Sequence, residues 1–252
     1  PAGVAAGWAA VYRSQAMVAL NQRADLARTV GVLRAAGFKT LALKGAWLSH
    51  HAYQQVAVRP LRDIDLLLDA DAVIPAFEHL QAAGYTLFGL PELSLADLVQ
   101  TDKHLPPLLS PGGTVIELHH RLWEPNGRLD HASPLAIDEA VRCRAIIEDD
   151  GIAYPAPVDM LAHLIGHAVY SHRFDCGPLL LTDIDYLLRA RAIDWAAFWD
   201  RAAAEGWRSG ARLVLALVAA YRKGVPITIT AAAGVEPSST VLADARDLLL
   251  QD

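Results

Sequence analysis

Cysteine, excess positive charge and long apolar runs are scarce in this sequence, and each scarcity excludes something. The 252 residues contain two cysteines, Cys143 and Cys176, with no paired spacing. A reducing, cytoplasmic setting therefore fits better than a disulfide framework. Formal net charge is −6, so a basic surface that grips a nucleic-acid backbone is not expected. No apolar run approaches the roughly 20 residues of a membrane span, and no basic stretch followed by an apolar one marks a signal peptide. The sequence starts at Pro1 rather than at a methionine, so preceding residues are expected. Hydrophobic residues are plentiful at 53%, enough for a large core and too many for a disordered chain.

The pattern changes along the chain. Val11, Met17, Leu20, Leu26, Val30 and Leu33 recur at helical spacing and predict a helix over 8–36, capped by Gly37. Short strands are expected near 41, 65, 86, 107 and 116. Helices are expected at 46–56, 71–83 and around 95–99. The Ser110-Pro111-Gly112-Gly113 turn joins two apolar runs, 105–109 and 114–119, as a hairpin. From Val158 onward nearly everything has helical period: 158–170, 179–191, 195–205, 209–221 and 239–250. Asp159 and Asp194 are the expected N-caps. The Gly- and Pro-containing stretch 146–157 reads as the boundary. It divides a mixed α/β domain, 1–150, from a helical domain, 151–252.

Three elements of the first half carry chemistry. RPLRDIDLLL, residues 59–68, places Asp63 and Asp65 two apart on a strand. They share one face with Cα atoms about 6.6 Å apart, while Ile64 and Leu66 turn into the core. Two such carboxylates repel unless a cation sits between them, and a divalent metal is one solution. The alternative is that they cap a turn or pair with Arg59 and Arg62. In TVIELHHRL, Glu117 stands mid-strand, where a carboxylate is costly without a partner. In LALKGAW, Lys44-Gly45 lies between a strand and a helix start, a place where a phosphate can approach backbone N–H groups.

Other polar residues have weaker claims. His119 shares the face of Glu117 and could touch substrate, or simply be a hydrogen-bonded residue at the strand end. His104, just ahead of the hairpin, is a further pocket candidate. His163 and His167 are i, i+4 on a helix, a metal-pair spacing with no evident third ligand. Asp183-Ile184-Asp185 repeats the earlier tripeptide on a helical background. There i and i+2 do not face one another, so it makes a poor metal pair.

Taken together, Lys44-Gly45, Asp63-Ile64-Asp65 and Glu117 resemble the DNA polymerase β-like nucleotidyltransferase superfamily. More closely, LKGAWL, Tyr53, RPLRDIDLLL, AAGYTL and IELHHRL, in that order, resemble the bacterial uncharacterised nucleotidyltransferase family. LAHLIGHAV and LLLTDIDYLL resemble its C-terminal part, so the likeness runs from about residue 15 to about residue 225. The turn departs from the superfamily in being Gly45-Ala46 rather than Gly-Ser or Gly-Gly, and the third acid is Glu rather than Asp.

The resemblance implies an α+β fold: a polymerase β-like nucleotidyltransferase domain, with a mixed sheet flanked by helices, followed by a helical domain. It implies transfer of an NMP from an NTP, ATP foremost, to a hydroxyl of a small-molecule or peptide acceptor, with release of pyrophosphate. Asp63, Asp65 and Glu117 would be catalytic and would hold two Mg2+ ions, with Mn2+ as a substitute. Lys44, Gly45 and Ala46 would hold the outer phosphates, with Arg59 or Arg62 offsetting charge on the leaving group. His119, His104 and His167 are the substrate-contact candidates, and the helical domain would bind the acceptor. The competing readings are a catalytically silent binding or regulatory module on the same fold, and a metal-dependent phosphotransferase or hydrolase.

Overall fold

A computed structural model describes residues 2–89, 93–123 and 134–251. It contains a five-stranded mixed sheet and about ten helices, the α+β composition expected from the sequence. No helix among the described residues is long and apolar enough to cross a membrane. The chain divides into two compact units. One comprises the chain up to Arg121 together with Ala145–Tyr154; the other comprises Leu122–Arg144 and the chain from Pro155 onward.

The first unit opens on α1, Ala2–Ala35. Gly37, at φ 88°, supplies the left-handed residue that ends it; Phe38 N–H then reaches back to the Leu33 carbonyl at 3.0 Å. The apolar stripe expected on this helix is only half realised. Leu26, Val30 and Leu33 are buried, but Val11, Met17 and Leu20 are exposed. The first turns extend past the core they would need to pack on. Deeper in, Asp25 is wholly buried, accepting hydrogen bonds from Ser110 Oγ at 2.8 Å and Thr114 Oγ1 at 2.7 Å and pairing with Arg28. This carboxylate ties α1 to the hairpin turn.

The sheet is built from β1 (Leu41–Ala42), β2 (Ile64–Leu67), β3 (Thr86–Leu87), β4 (Leu108–Leu109) and β5 (Val115–His119), in the order β1-β2-β5-β4-β3. The β2–β5 pair is parallel and the other pairs are antiparallel. Ile64, Leu66, Ile116 and Leu118 are at most 1% exposed, so one face of the central pair is fully committed to the core. Pro106 and Pro107, which lack N–H groups, shorten the expected hairpin strand to β4. Leu105 still bonds the Leu118 carbonyl, and His104 bridges His119.

Between β1 and β2 lies α2, Gly45–Trp47, which runs into a single π turn over Leu48–Ala52. The helix expected to reach residue 56 stops there, because Tyr53 turns extended and is buried. Helix α3, Val73–Ala82, and helix α4, Leu95–Thr101, follow β2 and β3 respectively. Gly84, at φ 93°, closes the turn after α3.

In the second unit, α5 (Pro134–Cys143) precedes a short hairpin that returns to the first unit: β6 (Ile146–Ile147) and β7 (Ala153–Tyr154). The first part of the 146–157 stretch is therefore a folded hairpin. Asp150 organises the turn, accepting from Ile152 N–H at 2.9 Å and Tyr154 Oη at 2.8 Å. Trp47 Nε1 donates to Glu148 and His51 contacts Asp150, so the hairpin is bonded into the first unit.

Helices α6 (Pro157–Gly166), α7 (Leu179–Ala190), α8 (Trp195–Ala204), α9 (Arg208–Tyr221) and α10 (Ser239–Leu250) complete the second unit close to the expected spans. Asp194 caps α8 as expected, accepting from Ala197 N–H at 3.1 Å. Asp159 does not cap α6, whose N-cap is Ala156. It is instead buried between two guanidinium groups, held in a fork by Arg144 at 3.0 and 2.7 Å and paired with Arg201. The edge of the Trp123 ring meets Gly166, where a Cβ would collide with it.

Candidate active site

The parallel register of β2 and β5 sets Asp65 opposite Glu117 and Leu67 opposite His119. Partners in a parallel pair project from the same face, so two acids and an imidazole share one side of the sheet. One ligand atom each from Asp65, Glu117 and His119 lies within 4.8 Å of the others. His119 Nε2 is 2.9 Å from Asp65 Oδ1 and 3.5 Å from Glu117 Oε2. Two oxygen donors and one nitrogen donor, brought together from rigid strands, fit a divalent cation.

Asp63 stands outside that trio, just before β2, and is half-buried. Desolvation, reinforced by the charges of Asp65 and Glu117, raises its pKa to about 6; Lys44 and His119 oppose the shift. His119 is itself 2% exposed. Burial works against its charged form, but the charge of Asp65 and hydrogen bonds to Asp65 and Glu117 outweigh burial and raise its pKa.

Lys44 Nζ lies 3.3 Å from the other Asp65 oxygen, so both oxygens of this carboxylate face a basic group. Lys44 adopts φ 36°, ψ −107°, a region that a residue with a side chain rarely enters, at a cost of about 1–3 kcal/mol. That strained corner turns the ammonium toward β2. The Leu43 N–H bonds the Asp65 carbonyl at 2.9 Å, fixing the corner to the strand. The Ala46 N–H donates to the Leu43 carbonyl at 3.2 Å. Gly45 leaves room above its Cα, and the Arg59 guanidinium fills it: a Cβ at residue 45 would sit 2.7 Å from Arg59 Nη1. Arg59 is half-buried and Arg62 is exposed, so Arg59 is the arginine positioned beside the Lys44-Gly45 corner.

His104 joins from the non-local bridge to His119, with the two ring centres 5.1 Å apart. Its Nδ1 is 3.0 Å from the Leu105 carbonyl, which can only accept, so Nδ1 carries a proton. Its Nε2 faces Glu117 and Asp102, each at 3.9 Å. His120, next along the chain, bonds the Val99 carbonyl at 3.1 Å, and burial lowers its pKa to about 4. It supports the strand end rather than the acid cluster.

His167 belongs to the second unit. It opens a π turn, His167–Ser171, and its Nε2 lies 3.0 Å from His172 Nε2, with the His163 ring 6.3 Å away. Asp183 and Asp185 are also in this unit, on α7; Asp185 is clasped by Arg189 at 2.7 Å and Arg222 at 2.6 Å. The His104 contact and the Lys44–Asp65 ion pair are features that sequence reasoning missed. The ion pair depends on β1 pairing with β2, for which spacing carries no signal. The His104 contact lies at the open end of the expected hairpin, where the meeting of the two rings was not read.

No curated protein matches the chain. The family described as "Uncharacterised nucleotidyltransferase" matches residues 1–223, a span that holds the strand corner, both site strands and most of the second unit. The chain thus belongs to the uncharacterised nucleotidyltransferase family.

Proposed function

We propose that this protein moves an NMP from an NTP, ATP foremost, to a hydroxyl of a small-molecule or peptide acceptor and releases pyrophosphate. The observation that carries the reading is the facing pair Asp65 and Glu117 on adjacent parallel strands, with Asp63 just outside and Lys44-Gly45 at the neighbouring corner. Asp63, Asp65 and Glu117 would hold the divalent cations. Bound there, such ions draw charge from the phosphoryl oxygens and make the acceptor hydroxyl more acidic.

In the step itself the acceptor oxygen forms a bond to the α-phosphorus. The bond from that phosphorus to the bridging oxygen breaks, and its electron pair leaves with pyrophosphate. Glu117 takes the hydroxyl proton, by itself or through water. Arg59, over Gly45, offsets charge that grows on the leaving group, and Lys44 turns from Asp65 to a phosphate oxygen. The second unit would bind the acceptor, consistent with its separate helical core. Acidic net charge favours a non-nucleic-acid acceptor.

A screen for pyrophosphate release with each NTP, a divalent cation and panels of hydroxyl-bearing acceptors tests this. Release dependent on both acceptor and Asp65 is expected. If no NTP binds at millimolar concentration with magnesium or manganese, the silent-module reading replaces this one.

A further inference from the structure

We infer that the cation site is a mixed carboxylate–imidazole centre, with His119 as a direct ligand, and that it selects a first-row transition ion over magnesium. This rests on the reading of Asp65 and Glu117 as cation ligands and names the cation they hold.

The donor set is the first reason. The three groups that can reach a common point are Asp65, Glu117 and His119, and His119 Nε2 is the atom turned toward both carboxylates. Magnesium is a hard ion that favours oxygen and keeps its waters. Imidazole nitrogen favours the borderline ions that follow it in softness, with manganese the most oxygen-tolerant of them. A buried imidazole at this point thus adds affinity for manganese, cobalt or zinc and little for magnesium.

The second reason is rigidity. His119 sits two residues after Glu117 on the same strand, and its carbonyl accepts from Leu68 N–H at 2.8 Å. Its ring is 2% exposed. The ring cannot swing out to solvent and leave an all-oxygen site behind.

The third reason is His104. Its Nδ1–H is committed to the Leu105 carbonyl, the arrangement by which proteins aim the remaining nitrogen of a metal-binding histidine. That nitrogen faces Glu117, one of the two acids, at 3.9 Å. A second imidazole thus stands beside the first and reinforces the same preference.

The test uses the full chain without nucleotide. Pulsed electron paramagnetic resonance of bound Mn2+ reads nitrogen ligation directly on the wild-type protein. A 14N coupling is expected, and its absence in a protein that binds Mn2+ at Asp65 would overturn the inference while leaving a carboxylate-only site. Competition adds a second readout. Mn2+ should bind at least about tenfold tighter than Mg2+, the lower end of what loss of even a supporting partner costs a metal site. His119→Gln should lose that preference and keep Mg2+ binding; an unchanged Mn2+ to Mg2+ ratio in a folded His119→Gln protein also overturns the inference. His104→Gln, at a less buried position, should narrow the ratio without abolishing it. If Asp65→Asn binds both ions as the wild type does, the underlying site reading fails, and the inference with it.

Discussion

The same tripeptide, Asp-Ile-Asp, occurs twice, and its two settings could hardly differ more. At 63–65 it enters a strand, where alternate residues share a face, and Asp65 meets Glu117 across a parallel pair. At 183–185 it lies on α7, where residues two apart point about 200° apart around the axis. The first setting gathers acid: Asp63, Asp65 and Glu117 stand against Lys44 and His119, and the pKa of Asp63 rises to about 6. The second gathers base: Asp185 is clasped by Arg189 and Arg222. An excess of negative charge at a rigid strand end attracts cations, whereas a carboxylate saturated by guanidinium holds helices together. The chemistry belongs to the neighbours rather than to the tripeptide.

Exchanging charge for amide at both places breaks the comparison most sharply. Asp65→Asn or Glu117→Gln should lower pyrophosphate release by at least roughly a thousandfold, the several kcal/mol that cation-assisted catalysis supplies. Asp185→Asn should leave the rate of the folded protein within a few-fold, as read by the same assay.

Stability should run the other way. Asp185→Ala leaves the partly exposed Arg189 and Arg222 without their acid, and a loss of about 1.5–3 kcal/mol is expected from denaturant unfolding. Asp65→Asn turns an amide NH2 toward Lys44 or His119 and loses one acceptor, but it also removes repulsion with Asp63 and Glu117, so its change should be the smaller, about 1 kcal/mol.

The arginines before the first tripeptide sharpen the picture further. Arg59→Ala should lower kcat with NTP about tenfold, the worth of one charge-assisted hydrogen bond to charge on the leaving group. Arg62→Ala, at an exposed position, should change it less than twofold.

The smallest effect is thermal and depends on pH. The folded-state pKa of Asp63, about 6, lies above the ordinary value of 3.8, so its stabilising contribution is complete below 3.8 and is lost as pH rises through 6. In chelator, Asp63→Asn should therefore raise Tm at pH 7.5 by a few degrees and give no gain at pH 3.5. A gain of equal size at both pH values would show that repulsion among the acids is not its cause.

Much of the first setting was legible in the sequence. Asp63, Asp65 and Glu117 stand out because a carboxylate beside Ile64, Leu66, Ile116 and Leu118 must have a reason. His119 follows from strand alternation. The helical half was legible because Ile184, Leu187 and Leu188 repeat at helical spacing. What escaped was long-range. Pairing of β1 with β2 brings Lys44 onto Asp65, and no local pattern encodes that pairing. His104 meets His119 at the open end of the hairpin that the Gly-Gly turn marks, but that the two rings meet beside the acids depends on β5 lying next to β2. Asp159 read as a cap because acids favour helix starts; its burial between Arg144 and Arg201 depends on residues 15 and 42 positions away. Val11, Met17 and Leu20 have the spacing of a buried face, but spacing cannot say how far the core extends.

The hairpin of β6 and β7 has a consequence for synthesis. The first compact unit acquires its last piece only at Tyr154, after Leu122–Arg144 has been laid down for the other. As the chain leaves the ribosome, the acid-bearing strands are made well before Glu148 and Asp150 arrive to bond Trp47 and His51. Truncation at Arg121 would remove those partners while leaving every acid of the site in the product. The order of translation thus separates the making of the site from the completion of the unit that carries it.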